Sequence, residues 1–234
     1  MSEKKFPLSE TFCSPQGEGL YAGAMMQFVR LAGCSVGKKI APAYRGELPV
    51  YTEKCTTHDG REFLCDTDFR TKRLMTAREI IEEIPEGVER ICITGGEPLN
   101  YDLTELLDAA YEVMLDVHIE TSGTVKMQHA YPKIDMSDFI GESVRGWIWL
   151  TVCPKLGCLD EMVQLANEIK LLVDKDFDAA KLTPLWLSKS LIYIQPINEE
   201  FTINKENLQR CLALQKVYPH WRISSQAHKL WEVR

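Results

Sequence analysis

The sequence predicts an α/β fold with a mostly parallel sheet, and three observations carry that expectation. Short β-branched or aromatic runs recur along the chain, amphipathic helical patterns lie between them, and the residues just after the runs are polar or rich in glycine and proline. The runs at Met26–Leu31, Arg90–Thr94, Val117–Thr121, Trp147–Val152, Glu168–Val173, Leu191–Gln195 and Trp221–Ser225 predict strands. Among the helices, Thr76 and Glu79 form a capping box that opens Ala77–Ile84. Leu103, Leu106, Leu107, Ala110 and Met114 make one apolar stripe, and Leu208, Cys211, Leu212 and Gln215 make another.

A chain of 234 residues, 45% hydrophobic and 26% charged, is long enough for a full-sized core and too apolar for a disordered one. One domain spanning 1–234 is the expectation. The net charge of −7, from 27 basic and 34 acidic residues, removes the blanket attraction on which non-specific phosphate-backbone binding relies, so nucleic acid is not an expected partner. No run reaches the roughly 20 apolar residues that a bilayer span needs, and no apolar stretch of signal-peptide length follows the charged start. The expected location is the cytoplasm, with no membrane partner. Eight cysteines in such a chain read as reduced thiols, and grouped ones point to metal binding or catalysis before disulfides.

The groups that follow the strands stack at one edge of a parallel sheet: Gly95-Gly96-Glu97-Pro98, Thr121-Ser122-Gly123-Thr124, Cys153-Pro154-Lys155, and Pro196 after Gln195. Ligands bind at that edge in parallel α/β sheets and barrels. Paired glycines allow bare backbone to approach a ligand closely. A second irregularity is the segment 35–64, which has little periodicity and reads as a long loop, functional or tied down. Cys34, Cys55 and Cys65 frame it, with 20 residues between the first two and 9 between the last two. Three thiolates on a four-iron cube leave one iron open to an exogenous chelator. A closed Cys3His zinc site is the alternative, because His58 lies three residues after Cys55. Spacing alone does not separate these two from buried, unliganded thiols.

At this point the sequence resembles the 7-carboxy-7-deazaguanine synthases of the radical S-adenosylmethionine superfamily, nearly end to end. The blocks that carry the resemblance are Thr11-Phe12 leading to Gln16-Gly17-Glu18-Gly19, Phe28 to Cys34, Cys65-Asp66-Thr67, Thr94 to Pro98, Glu120 to Gly123, Pro154-Lys155, Gln195-Pro196 and Gln226 to Lys229. Gly-Gly-Glu-Pro alone would indicate the superfamily, whereas Gln-Gly-Glu-Gly ahead of Arg-x-x-Gly-Cys indicates this family. The superfamily usually spaces its cysteines Cys-x3-Cys-x2-Cys. Here both gaps are long, and Glu62 stands where the family's middle cysteine falls, so Cys55 is the nearby replacement.

The resemblance implies a shortened, partial parallel β/α barrel of the radical S-adenosylmethionine type, and conversion of 6-carboxy-5,6,7,8-tetrahydropterin to 7-carboxy-7-deazaguanine with loss of ammonia, in 7-deazapurine (queuosine-type) synthesis. It implies that Cys34, Cys55 and Cys65 hold a radical-generating [4Fe-4S] cluster whose open iron is chelated by S-adenosylmethionine, and that Thr67 contributes to a magnesium site. Leu64, Cys65, Asp66, Gly96, Glu120, Ser122, Cys153, Pro154, Lys155 and Gln195 are the carried-over cofactor set. Pro15, Gln16, Gly17, Glu18, Arg30, Thr94, His228 and Arg234 are the substrate set, with Arg30 offering its fork to the pterin carboxylate. A homodimer and a reductant such as flavodoxin or ferredoxin follow from the same resemblance. Two alternatives stand beside this activity: another radical S-adenosylmethionine activity such as a glycyl-radical-enzyme activase, which the Gln-Gly-Glu-Gly block disfavours, and a non-catalytic zinc-stabilised binding module.

Overall fold

The computed structural model describes residues 3–39, 53–65, 67–68, 70–128, 148–198 and 202–233. Asp66 and Arg234, and the start of the expected strand at Trp147, lie outside the described residues. In chain order the elements are β1 (Lys5–Pro15), β2 (Met25–Leu31), β3 (Lys38–Lys39), β4 (Glu53–Thr56), β5 (Glu62–Cys65), β6 (Arg73–Thr76), α1 (Ala77–Glu82), β7 (Arg90–Gly95), α2 (Thr104–Glu112) and β8 (Asp116–Thr121). They continue as β9 (Ile148–Val152), α3 (Asp160–Leu165), β10 (Glu168–Val173), α4 (Pro184–Leu187), β11 (Ile192–Pro196), α5 (Lys205–Val217), β12 (Arg222–Ile223) and α6 (Ala227–Leu230).

One nine-stranded sheet runs in the order β12-β11-β10-β9-β8-β7-β2-β1-β6. The strands from β2 through β7 to β12 pair in parallel, while β1 pairs antiparallel with β2 and with β6. The described strands form an open, partial parallel β/α barrel with β12 and β6 as its two edges.

Alternation along each parallel strand gives the two faces of this sheet different chemistry. Outward go Ile91 and Ile93, Val117 and Ile119, Leu150 and Val152, Ile169, Leu171 and Val173, then Ile192 and Ile194, all of which join the main core with Leu106, Leu107, Ala110, Met162, Val163 and Leu214 from the helices. Inward go Cys92 and Thr94, His118 and Glu120, Thr151, Glu168 and Lys170, and Gln195, a layer of polar groups that is buried except at the half-buried Glu120. Buried polar groups must be paired, so this inner face is where interactions have to be accounted for.

Local signals explain the helices. Thr76 Oγ1 accepts from the Glu79 N–H at 3.2 Å and the Glu79 carboxylate accepts from the Thr76 N–H at 2.7 Å, which is the expected capping box. The helix stops at Glu82, short of the expected Ile84, because Pro85 disfavours helical backbone at the residue before it. Leu103, Leu106, Leu107 and Ala110 are buried as the stripe requires, but Met114 lies beyond the end of α2 in left-handed backbone and is exposed. In α5 the buried residues are Asn207, Cys211 and Leu214, whereas Leu212 faces outward.

Segment 35–64 is not a featureless loop: β3, β4 and β5 form a small antiparallel sheet within its described part. The β4–β5 turn is closed by the Thr57 N–H on the Arg61 carbonyl at 2.9 Å, with Gly60 in the left-handed region. The tip docks on the body of the fold. Asp59 takes Lys181 Nζ at 3.2 Å, Arg61 pairs with Asp174 and lies over the Phe177 ring, and the His58 ring sits 5.6 Å from both Phe177 and Trp186.

Candidate active site

At the carboxyl ends of the parallel strands a cavity of about 220 Å3 opens on the polar face of the sheet. Residues from β1, β2, β4, β5, β7, β8, β10 and β11, and from the turn after β9, reach it.

Its upper wall is sulfur. Cys34, Cys55, Cys65 and Cys153 all line the cavity. In the β4–β5 register, Cys55 faces Phe63 and Glu53 faces Cys65, so Cys55 and Cys65 lie on one face as diagonal neighbours, an arrangement that sets residues about 7 Å apart. Thr56, Glu62 and Leu64 take the opposite face. Glu62 pairs there with Lys54 at 3.2 Å, and Leu64 is 40% exposed, so Leu64 has only backbone to offer the cavity. A single zinc ion needs its thiolates within about 4 Å of one another. Among the described residues no three His, Cys, Asp or Glu side chains are grouped so as to hold one metal ion. His58 turns away from the thiols toward Phe177 and Trp186, which removes the fourth ligand of the Cys3His alternative. Three thiols spread around one cavity suit a cluster larger than one ion.

Lys155 stands among these thiols, with Nζ 3.1 Å from the Cys153 sulfur and 5.2 Å from the centre of the Phe63 ring. Burial opposes its charge, but Cys153, Cys55 and Cys65 hold its pKa above the usual lysine value. Burial pushes the Cys55 thiol up, and Lys155 offsets part of that.

Beside the sulfur wall the β7 turn brings backbone into the site. A Cβ on Gly96 would collide with the Gly33 carbonyl, and Gly95 has φ +122°. The Gly96 N–H is already spent on the Leu31 carbonyl at 3.1 Å, which leaves the Gly96 carbonyl as the group free to accept. Glu97 faces away from the cavity and is fully buried. Its carboxylate accepts from Leu99 N–H at 3.0 Å, Thr121 Oγ1 at 2.7 Å, Ser122 N–H at 2.8 Å and the Ser122 hydroxyl, and so fastens the β7 turn to the β8 turn. Ser122 lines the cavity with its hydroxyl held by Glu97 and Thr124. Pro154 is buried and does not reach the cavity.

The floor is polar. Gln16, 3% exposed, accepts the Glu18 N–H at 3.1 Å and donates Nε2 to Glu120 at 3.2 Å. Glu120 also accepts Thr94 Oγ1 at 3.0 Å. Gln195 donates Nε2 to Glu18 at 3.1 Å while accepting Ser224 Oγ at 3.0 Å. Glu120 and Gln195, both expected in the cofactor set, therefore stand among the substrate set. Lys170 from β10, which sequence reasoning missed, pairs with Glu18 and lies 3.8 Å from Glu120. Burial would raise the Glu18 carboxyl, yet Lys170 and His228 hold it well below the usual carboxylate range.

Arg30 closes one end. Nε lies 3.1 Å from Glu10, leaving the other arm of the guanidinium toward Thr67 at 3.5 Å, and Phe12 stacks on Phe28 beneath it with ring centres 5.1 Å apart. His228 closes the other end. The Gly17 carbonyl accepts the Ala227 N–H at 2.8 Å, and a Cβ on Gly17 would strike the His228 ring. Pro15 and Gly17 line the cavity with the Gln16 loop.

No family model matches the chain. A 7-carboxy-7-deazaguanine synthase from Synechocystis is 31% identical over 98% of this chain and 94% of its own length. The protein of that name from Buchnera aphidicola is 32% identical over 98% of this chain and 99% of its own. The one from Escherichia coli K12 is 28% identical over 96% and 97%. The crystal structure of QueE from Escherichia coli superposes with a TM-score of 0.62 at 24% identity, covering 94% of this chain and 93% of the other, and shares the fold. With the cavity's residues in place and relatives above 30% identity matched nearly end to end, the chain belongs to the 7-carboxy-7-deazaguanine synthase family.

Proposed function

We propose that this chain converts 6-carboxy-5,6,7,8-tetrahydropterin to 7-carboxy-7-deazaguanine with loss of ammonia, as a carbon–nitrogen lyase in queuosine-type 7-deazapurine synthesis. The observation that carries the reading is the meeting, in one cavity, of Cys34, Cys55 and Cys65 with the Gly96 turn on one side and the Gln16, Glu18, Arg30 and Thr94 floor on the other.

Cys34, Cys55 and Cys65 would hold a [4Fe-4S] cluster, and the Gly96 carbonyl, Ser122 and Lys155 would hold S-adenosylmethionine. Together, when bound, these groups supply the radical that a ring contraction needs. The rest is the work of the chain's own residues. Arg30 offers guanidinium N–H groups to the substrate carboxylate, and Thr67 beside it offers a hydroxyl to a magnesium ion shared with that carboxylate. Glu18 and the backbone at Pro15 and Gly17 accept from and donate to the amide and amino edge of the ring. Phe12, Phe28, Phe63 and Leu172 exclude water from the reacting face. The whole chain, 1–234, acts as a single domain, works as a homodimer in the cytoplasm, and draws its electron from a flavodoxin- or ferredoxin-type reductant. Among the described residues no helix is long and apolar enough to cross a membrane.

The test is anaerobic reconstitution with iron and sulfide, then incubation with reductant, S-adenosylmethionine, magnesium and the carboxypterin. The expected products are 5′-deoxyadenosine and 7-carboxy-7-deazaguanine; absence of both overturns the reading.

A further inference from the structure

Lys170 is 5% exposed on β10, a strand buried along its whole length. An ammonium at such depth persists only if paired. Its partners come from two other parts of the fold: Glu18 from the loop after β1, and Glu120 Oε1 from β8 at 3.8 Å. One cation thus faces two carboxylates. Around Glu18 stand Gln195, Gln226 and His228; around Glu120 stand Thr94 and Gln16, with His118 one step deeper on the same strand face. Cys92 on β7, Cys153 after β9, Glu168 on β10 and the Arg30 guanidinium on β2 are further titratable or charged neighbours among the described residues.

The same strand fastens the loop a second time. Glu168, two residues before Lys170 on the inner face, accepts the Leu20 N–H at 3.0 Å, and a Cβ on Gly19 would collide with its carboxylate. β10 therefore grips Gln16–Leu20 at both Glu18 and Leu20.

We propose that Lys170 is a positioning residue for the pterin: it keeps Glu18 and Glu120 ionised side by side and aims Glu18 as an acceptor at the N–H edge of the ring. The proposal rests on the reading of Glu18 as the carboxylate that recognises the pterin. Two half-buried carboxylates facing each other without that cation do not both stay ionised, so one takes up a proton. A protonated Glu18 would meet the donors of the pterin edge with a donor of its own.

The experiment uses reconstituted enzyme carrying Lys170→Met, Lys170→Arg, Lys170→Met with Glu120→Gln, or Glu18→Gln. It measures carboxypterin affinity in the unreduced, S-adenosylmethionine-loaded state, and kcat and KM from about pH 6 to about pH 8.5. Lys170→Met is expected to weaken binding roughly tenfold or more near pH 6, because a buried donor is left facing a donor. The deficit should shrink as pH rises and the surplus proton leaves, with KM moving more than kcat. Lys170→Arg should recover most of the affinity, and adding Glu120→Gln to Lys170→Met should flatten the pH dependence by restoring the charge balance. A Lys170→Met enzyme that matches wild type at every pH, beside a weakened Glu18→Gln enzyme, overturns the role of Lys170 alone. So does a loss that is equal at all pH values and is rescued by neither arginine nor the double substitution. Glu18→Gln with wild-type affinity overturns the reading of Glu18 instead, and the proposal with it. Should Lys170→Met not fold, the arginine and double variants carry the same comparison.

Discussion

Cys55 and Cys65 are diagonal neighbours on one face of the β4–β5 hairpin, while Glu62, on the strand opposite Cys55, points to the other face. Backbone register therefore favours Cys55 over position 62 as the middle thiolate, whatever the number of residues between the cysteines.

From that register, Cys55→Ala should lower iron per chain after anaerobic reconstitution as severely as Cys34→Ala does. Placing a cysteine at 62 in the Cys55→Ala chain should restore none of it, since that side chain lies on the Lys54 side of the hairpin. Normal iron in the single variant would mean that another group serves as the third ligand.

His58 tests the competing zinc site. Its ring is packed between Phe177 and Trp186, so His58→Ala should leave iron content unchanged while loosening the hairpin tip. Amide hydrogen exchange in 53–65 should quicken in that variant. A colourless protein with one zinc, lost in His58→Ala, would contradict the assignment.

Glu97 is a pure fastener, fully buried and accepting from Leu99, Thr121 and Ser122. Glu97→Ala strands those donors without water, and urea denaturation should show a loss of about 3 kcal/mol. A loss below about 1 kcal/mol would show that the two turns hold each other without it.

Acid should weaken the fold through His118. Burial holds its pKa at about 4, against 6.5 for the free side chain, so the unfolded chain binds its proton first. Above pH 6.5 His118 contributes nothing to pH dependence. As pH falls from 6.5 toward 4, stability should drop by up to about 3 kcal/mol, and a His118→Gln chain should lack that component in denaturant titrations across the same range.

The expected strands at 90–94, 117–121, 168–173 and 191–195 overlap β7, β8, β10 and β11 because each carries an unbroken apolar outer face. The same reading hid Lys170, because a run counted as apolar conceals its alternate positions. Glu168 and Lys170, two apart inside Glu168–Val173, were the available signal that this strand has a polar side. β1 escaped notice for a related reason: Pro7, Ser9 and Glu10 interrupt its pattern, and a bulge between Leu8 and Glu10 breaks the alternation. The β4–β5 hairpin was illegible because its strands are four residues each, with Lys54 and Glu62 on their solvent face. The site itself was more legible than the fold around it. Sequence order brought the glycine turn, the thiols and the Gln16 loop to one edge, but the directions in which Leu64, Pro154 and Glu97 turn depend on register and turn geometry that only the folded backbone supplies.

The docking of the hairpin tip through Asp59, Arg61 and His58 has an evolutionary corollary. With the tip of the two-cysteine hairpin secured to the scaffold, the places of Cys55 and Cys65 are set by tertiary contacts and strand register rather than by their distance from Cys34 in sequence. Searches for clusters of this kind that insist on fixed intervals will pass over chains like this one, whereas a search for two thiols in matching parity across a short antiparallel pair would find them.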